Sequence, residues 1–280
     1  MDTKKILMVT SFYPPYHVGG ACTHVYYLAN ELAKQGHEVH VLFSEDAYYL
    51  KRSAKPNHDK YPNHPNVILH KIKTPAGKIT PLYSYITAQI PFNEGIRKVF
   101  SQKFDLIHYH NISLFGPRIF AYGSARKVYT AHDHWLVCPL NDFFSSKALC
   151  SHQPSAINCS LALAKNKRPL QLWRFSRLLS NSLKNIDAII SPSDYLKKFY
   201  ESHNLQKEII VLPNFVQDAP GGHTAQPDET DYFFYAGMLE EFKGIRNLLA
   251  AFKQSPGKRL LIAGKGSLES YTKKFIESNE

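Results

Sequence analysis

"KILMVTSFYPPYHVGGACTHVYYLANELAKQG", residues 5–36, decides the fold. Ile6-Leu7-Met8-Val9 is a short apolar run that reads as a buried strand. Val25, Leu28, Ala29 and Leu32 then keep one apolar face at helical spacing, and Gly36 stands where a left-handed C-cap belongs. A plain strand-to-helix connection needs only a few residues. This one is longer and carries two prolines and the pair Gly19-Gly20. Glycines just before a helix let the backbone approach a ligand without a Cβ and aim helix N–H groups at an anion. The spacing is not GxGxxG, so the dinucleotide fingerprint is absent, and an ordinary tight turn is the plain alternative.

The same alternation continues along the chain. Strands are expected at 4–10, 38–44, 67–72, 105–110, 127–132, 187–191 and 209–212, with helical patterns between them, the signature of a parallel α/β sheet. In such sheets ligands gather beyond the carboxyl ends of strands. Two neighbouring strand ends carry chemistry there. "DLIHYHN" (105–111) closes with His108, His110 and Asn111, and "VYTAHDHW" (128–135) with His132, Asp133 and His134. Strand alternation puts His108 and His110 on one face. That grouping favours sugar or phosphate recognition, whereas a lone histidine is more often structural.

After Pro169, the residues Leu172, Phe175, Leu179, Leu183 and Ile186 form a helical stripe, with Arg174, Arg177 and Lys184 expected away from it. Cys138, Cys150 and Cys159 lie in one loop with His152 close by, which leaves a zinc site as an alternative to buried structural thiols. The intervals are wide and contain no CxxC pair.

The chain has 280 residues, 44% of them hydrophobic, enough for one large or two ordinary domains. Its 34 Lys and Arg against 23 Asp and Glu give a formal charge of +11. Such a balance suits a phosphorylated substrate, an anionic membrane face or a nucleic acid. No recognition helix or RNP-like aromatic motif supports the last, so no nucleic acid is expected. Neither a spanning apolar run nor a signal-peptide core is present. A cytoplasmic location is expected, with reduced cysteines and a peripheral seat on the inner face of the plasma membrane as an option.

Residues 213–231, rich in proline and glycine, read as a hinge. They separate an N-terminal domain, 1–212, from a partial second domain, 232–280, in which "YFFYAG", "GIRNLLAAFKQ", "KRLLIAGKG" and "LESYTKKFIESNE" alternate strand and helix. Gly237 follows a strand there, and Lys243-Gly244 precede a helix, where a lysine is placed to meet an anion. "AGKGS" (263–267) lacks P-loop spacing.

The ordered set of the glycine loop, "DLIHYHN", "YTAHDHWLVCP", "AIISPSDYLKKFY", "VLPNF", "YAGMLEEFKGIRNLLAAF" and "LLIAGKGSLE" resembles the GT-B-fold, retaining glycosyltransferases of family four, which build bacterial polysaccharides and glycolipids. The resemblance implies two Rossmann-like domains facing across a cleft, the first holding a glycan or lipid-linked acceptor and the second a nucleotide sugar. It places Gly19, Gly20, Gly237 and Lys243 at the donor, His132 beside the reacting carbon with Asp133 next to it, and Lys243 against the departing diphosphate. His108, His110 and Asn111 are assigned to the acceptor side. It implies no metal, no cofactor besides the co-substrate, and no protein nucleophile. Two departures stand out: Met238 replaces an arginine common in the family, and the family's EX7E segment is expected beyond residue 280. The chain is therefore expected to be a fragment or a truncated product that transfers sugar poorly alone. A non-catalytic sugar or nucleotide-sugar binding protein of the same fold is the alternative.

Basic residues of the first domain, among them Lys51, Arg52, Lys71, Lys73, Arg97, Lys98, Lys165, Lys167 and Arg168, accompany Tyr83, Tyr85, Ile86, Ile90 and Phe92. Together they are expected either to offer an apolar face to a lipid-linked acceptor or an anionic membrane, or to be a solvated basic surface over ordinary core.

Overall fold

The computed structural model describes residues 2–58, 60–145, 148–150, 154–217 and 232–279. The chain divides into two compact units, one of residues 1–143 and 152–216, the other of 144–151 and 217–280.

Seven parallel strands form the first unit: β1 (Lys5–Val9), β2 (Glu38–Ser44), β3 (Val67–Ile72), β4 (Leu106–Tyr109), β5 (Arg126–Thr130), β8 (Ala188–Ser191) and β9 (Ile209–Val211). Their order is β3-β2-β1-β4-β5-β8-β9, so the direction of winding reverses between β1 and β4. A crevice opens at such a switch point, beyond the strand carboxyl ends. In the sequence between β5 and β8 comes a short antiparallel hairpin, β6 (Phe144–Ser145) and β7 (Ala148–Leu149), which is grouped with the second unit.

Leu7, Met8 and Val9 are wholly buried because a parallel sheet is covered on both faces, and this is why the strand carries an unbroken apolar run. Leu7, Val9, Ile107 and Tyr109 face one core, which includes Ile96, Ile119 and Trp173. Ile6, Met8, Val39 and Val41 face the other, under helix α1 (Gly20–Lys34), which contributes Cys22, Val25 and Ala29. The helix ends as its sequence requires: Gly36 adopts φ 91°, its N–H reaches the Ala33 carbonyl, and the His37 N–H reaches that of Leu32.

One device recurs at the amino ends of the strands. Asp105, just before β4, accepts the Lys5 N–H at 2.7 Å, and Asp187, just before β8, accepts the Lys127 N–H at 2.6 Å. Each carboxylate thus fixes the register of the neighbouring strand.

The remaining helices of this unit are α2 (Glu45–Lys51), α3 (Ile79–Thr87), α4 (Glu94–Phe100), α5 (Ala156–Lys165), α6 (Leu178–Leu183) and α7 (Asp194–Ser202). The single helix expected after Pro169 is instead a 3-10 turn, Leu172–Phe175, followed by α6. Trp173 fills the core and donates its indole N–H to the Tyr85 carbonyl at 3.1 Å, while Leu172 and Phe175 face outward. Arg174, expected on the solvent side, is embedded. Its guanidinium lies over the rings of Trp135 and Trp173, its Nη1 donates to the Trp135 carbonyl at 2.7 Å, and burial pulls its pKa down to about 10.

The second unit contains β10 (Tyr232–Ala236) and β11 (Arg259–Ala263), parallel to each other, with α8 (Ile245–Lys253) and α9 (Glu269–Glu277). Leu239, Ile245, Leu249 and Leu268 form its core. The glycines of "AGKGS" have a packing reason here. A Cβ on Gly264 would collide with the Gly237 carbonyl oxygen, and one on Gly266 with the Leu239 carbonyl oxygen. Most of the expected hinge, 213–231, lies outside the described residues.

Candidate active site

The long loop after β1 is anchored before it turns. Tyr13 and Tyr16 are buried against Phe43, and the Tyr13 hydroxyl donates to Asn63 Oδ1 at 2.6 Å. Gly19 then takes φ 84° and ψ 177°, a conformation nearly confined to glycine, and delivers the chain into α1. The helix begins with no side-chain cap and no acidic residue in its first turn, so its leading N–H groups and positive dipole end suit an anion. A Cβ at Gly19 or Gly20 would meet nothing within 4 Å.

One helical turn past Gly20 stands His24, a residue not singled out from the sequence. Its ring lies 5.3 Å from that of His132, 6.3 Å from that of His110 and 5.4 Å from that of Phe215. The start of α1, one turn past the glycines, is therefore packed against the end of β5. The signal for His24 was its spacing of four from Gly20.

Below His132 the histidines continue into the protein. His110 Nδ1 lies 3.1 Å from His132 Nε2, and His108 Nε2 lies 2.7 Å from Thr130 Oγ1. His108 is 7% exposed and His110 0%. Burial, then the neighbouring imidazoles, holds the pKa of His108 down to about 3 and that of His110 well below its ordinary value. His132 is likewise held at about 3 by burial and by His24, and His24 is lowered by burial. All four rings are neutral at physiological pH. The site therefore offers neutral N–H donors and ring nitrogens, not imidazolium charge.

Asp133 points elsewhere than at these rings. Its Oδ1 accepts the Trp135 N–H at 2.9 Å and its Oδ2 the Asn141 amide at 3.1 Å, while its carbonyl accepts the Tyr200 hydroxyl. Burial raises its pKa, and the hydrogen bonds from Asn141 and Trp135 oppose the shift. His132, Asp133, Asn111 and Asn141 border a cleft of about 10 Å³, room for about one water. Asn111 faces that cleft and spends its side-chain oxygen on the Ser113 hydroxyl at 3.0 Å. His134 turns away and packs on Phe199 at 4.4 Å.

A cavity of about 270 Å³ opens beyond the ends of β2 and β3, its lining including the polar Ser44, Asp46, Thr74 and Thr80 and the apolar Ile72, Ile90, Phe92 and Leu114. It shares Ile90, Phe92, Asn93 and Ile96 with a groove of about 590 Å³ that also carries Arg97, Phe100 and Tyr122. Ile90 and Phe92 are among the residues expected from the sequence to offer an apolar face. Phe92 is 79% exposed, and Tyr83 and Ile86 are also exposed, but Tyr85 is buried and belongs to the core.

In the second unit Gly237 follows β10 and donates its N–H to the Ala263 carbonyl. Lys243 ends a short 3-10 turn, Glu241–Lys243, and Gly244 at φ 71° then starts α8, again without a side-chain cap or an acidic first turn. Lys243 is exposed, and the neighbouring Glu241 is spent on Arg246 at 3.0 Å. Among the described residues no group of three or more His, Cys, Asp or Glu is placed to hold a metal ion. Cys138 packs with Leu140 and Leu163, Cys150 and Cys159 are half-buried, and His152 lies outside the described residues. No helix among the described residues is long and apolar enough to cross a membrane.

The chain is 26% identical to glycogen synthases of two Mycobacterium tuberculosis strains over 95% of its own length and 63% of theirs. It therefore spans less than two thirds of these relatives. Among solved structures, it superposes on the catalytic domain of starch synthase IV from Arabidopsis thaliana, bound to ADP and acarbose, with a TM-score of 0.55 at 12% identity, covering 99% of this chain and 71% of that one. The S. aureus TarM structure with fondaparinux, alpha-GlcNAc-glycerol and UDP gives 0.53 at 9% identity, covering 99% and 75%. These likenesses bear on the fold, which is the α/β arrangement of the GT-B type. The model of Glycosyltransferase Family 4 matches residues 18–219, from the glycine turn through β9, and the chain belongs to that family.

Proposed function

We propose that the protein takes part in moving a sugar from a nucleotide-diphosphate sugar to a glycan or lipid-linked acceptor, with retention at the anomeric carbon. The observation that carries this reading is the approach of His24, one turn into the helix that the glycine turn opens, to 5.3 Å from His132 between ring centroids, in a chain of this family. A relative named glycogen synthase, and similarly folded structures solved with ADP or UDP, support a sugar nucleotide as the ligand.

In this reading the N–H groups of α1 face phosphate or sugar oxygens at Gly19 and Gly20, and His132 offers a neutral hydrogen bond near the reacting carbon. Gly237 and Lys243 serve the donor diphosphate, with Lys243 stabilising the charge that develops as it departs. The acceptor oxygen bonds to the anomeric carbon on the face from which the phosphate leaves. The departing phosphate oxygen takes the acceptor's proton, so neither a protein nucleophile nor a metal ion takes part. His108 and His110 are buried, which makes their service to the acceptor side indirect. Asn111 borders the cleft itself.

For the acceptor, the cavity beside Asp46 and Thr74 and the groove along α4 combine hydroxyl-binding and apolar walls, which suits a glycan carried on a lipid better than a bare sugar. Exposed Phe92, Tyr83 and Ile86 with Arg97 and Lys98 would seat this face on an anionic membrane. Flotation with anionic vesicles is expected to recover the protein at low salt and lose it at high salt. Equal flotation with neutral vesicles, or none, removes the membrane part of the reading.

A thermal-shift screen against UDP-, GDP-, dTDP- and ADP-sugars tests the whole, since a ligand held only by the folded state raises its melting temperature. One nucleotide class is expected to stabilise the protein selectively. No shift with any of them contradicts donor binding.

A further inference from the structure

This inference deepens the reading above and rests on His132 meeting the sugar nucleotide. His108 and His110 project from the helix-α1 side of β4, and Thr130 and His132 from the same side of β5. The two side-chain hydrogen bonds between the strands, His108 to Thr130 and His110 to His132, each join residues 22 apart. One diagonal step is thus repeated two residues further along, and the second step ends at His132, which borders the small cleft.

His110 is wholly buried, and its Nε2 has no hydrogen-bond partner. Around it stand His108 at 4.0 Å, His132 at 5.3 Å and His24 at 6.3 Å between ring centroids, and no carboxylate is among the groups that act on its titration. Two neutral imidazoles facing each other share a single proton between Nδ1 of one and Nε2 of the other. If His132 supplied it, the proton of His110 would sit on Nε2, a buried N–H with no acceptor. If His110 supplies it, only a lone pair is left bare. Buried N–H groups without acceptors are rarer than under-used acceptors. The partner that fixes one ring nitrogen also decides the state of the other.

We propose that His110 is a positioning residue: it donates its Nδ1–H to His132 Nε2 and so keeps the proton of His132 on Nδ1. His132 Nδ1 has no partner among the described residues, and its N–H is the group with which His132 meets an oxygen of the sugar nucleotide. His132 then acts as a hydrogen-bond donor. It is not a base through Nε2, because that nitrogen is already engaged.

The test is long-range proton–nitrogen correlation on the full chain labelled with ¹⁵N-histidine, which reports directly which nitrogen of His132 carries the proton. His110→Asn keeps an N–H at the place of Nδ1, and His110→Leu removes it. Wild type and H110N are expected to show His132 protonated on Nδ1, and H110L to move the proton to Nε2. With the sugar nucleotide selected by the thermal-shift screen, H110L is expected to bind about tenfold more weakly, the value of one hydrogen bond, and H110N within about twofold of wild type. Protonation on Nε2 in wild type overturns the proposal, as does an unchanged tautomer in H110L. If H110L does not fold, the wild-type and H110N spectra decide alone. His132 resonances that show the Nδ1 proton but ignore every sugar nucleotide would sink the donor-site reading and leave the assignment of His110 standing.

Discussion

Asn141 reaches back to Asp133, donating its amide to Oδ2 at 3.1 Å from a backbone held at φ 77°. Its carbonyl accepts the His134 N–H at 2.9 Å, so the turn that follows β5 is closed at both ends by one residue. His132 sits at the root of that turn. Asn141→Ala loses the donor to a buried carboxylate and puts a Cβ at a left-handed backbone angle, which together cost about 2–4 kcal/mol. Asn141→Gly keeps the backbone angle and loses only the hydrogen bond, so it falls between the two. Urea unfolding checks the order, and equal stabilities for N141A and wild type would contradict it.

The buried histidines make stability depend on pH with a definite sign. His108 and His132 titrate near 3 in the folded chain, His110 is also lowered well below 6.5, and each returns to about 6.5 on unfolding. The unfolded chain therefore binds more protons between about pH 6.5 and 3. Stability falls as the pH drops through that window, by up to about 1.4 kcal/mol per unit for each histidine. Asp133, whose pKa is raised, has the opposite sign: its folded form gains a proton first, which adds stability as the pH falls through its folded pKa. His24 is lowered in the same direction as these three, so the lowered groups outweigh Asp133: urea midpoints are expected to fall steeply below pH 6, and H110N to flatten the slope by about one proton. A flat profile from pH 7 to 4 would contradict the neutral cluster.

Glycines in the two units are required for different reasons. Gly264→Ala and Gly266→Ala drive a methyl into the carbonyls of Gly237 and Leu239, so either is expected to unfold the second unit or weaken it by more than about 3 kcal/mol. Gly20→Ala meets nothing and should leave the melting temperature within about a degree or two. Thermal unfolding of the three variants decides, and a stable G264A would show that the 237–239 and 264–266 loops do not approach as described.

The central strand β1 was legible because it is covered on both faces and so carries the unbroken apolar run Leu7-Met8-Val9, and the other strands by their β-branched and aromatic residues. The glycine that ends α1 was legible because its left-handed angle admits little else. The segment after Pro169 was not. Its periodicity matched a helix, but Trp173 and Arg174 are placed by partners 88 and 39 residues away, the carbonyls of Tyr85 and Trp135, and those bonds break the helix in two. At the site, the residue types at the ends of β4 and β5 were visible in the sequence, since strand alternation groups them. Their depth was not. That His108 and His110 are sealed beneath His132, and that His24 packs on His132 from α1, depends on how the helix packs over the sheet.

The central claim is that the glycine turn and His132 meet the same sugar nucleotide. Calorimetric titration of wild type, G20A and H132A with the sugar nucleotide that stabilises the protein tests it most directly. The account predicts that both substitutions raise Kd about tenfold or more while the melting temperature of G20A stays at the wild-type value. Wild-type affinity in both variants would contradict it.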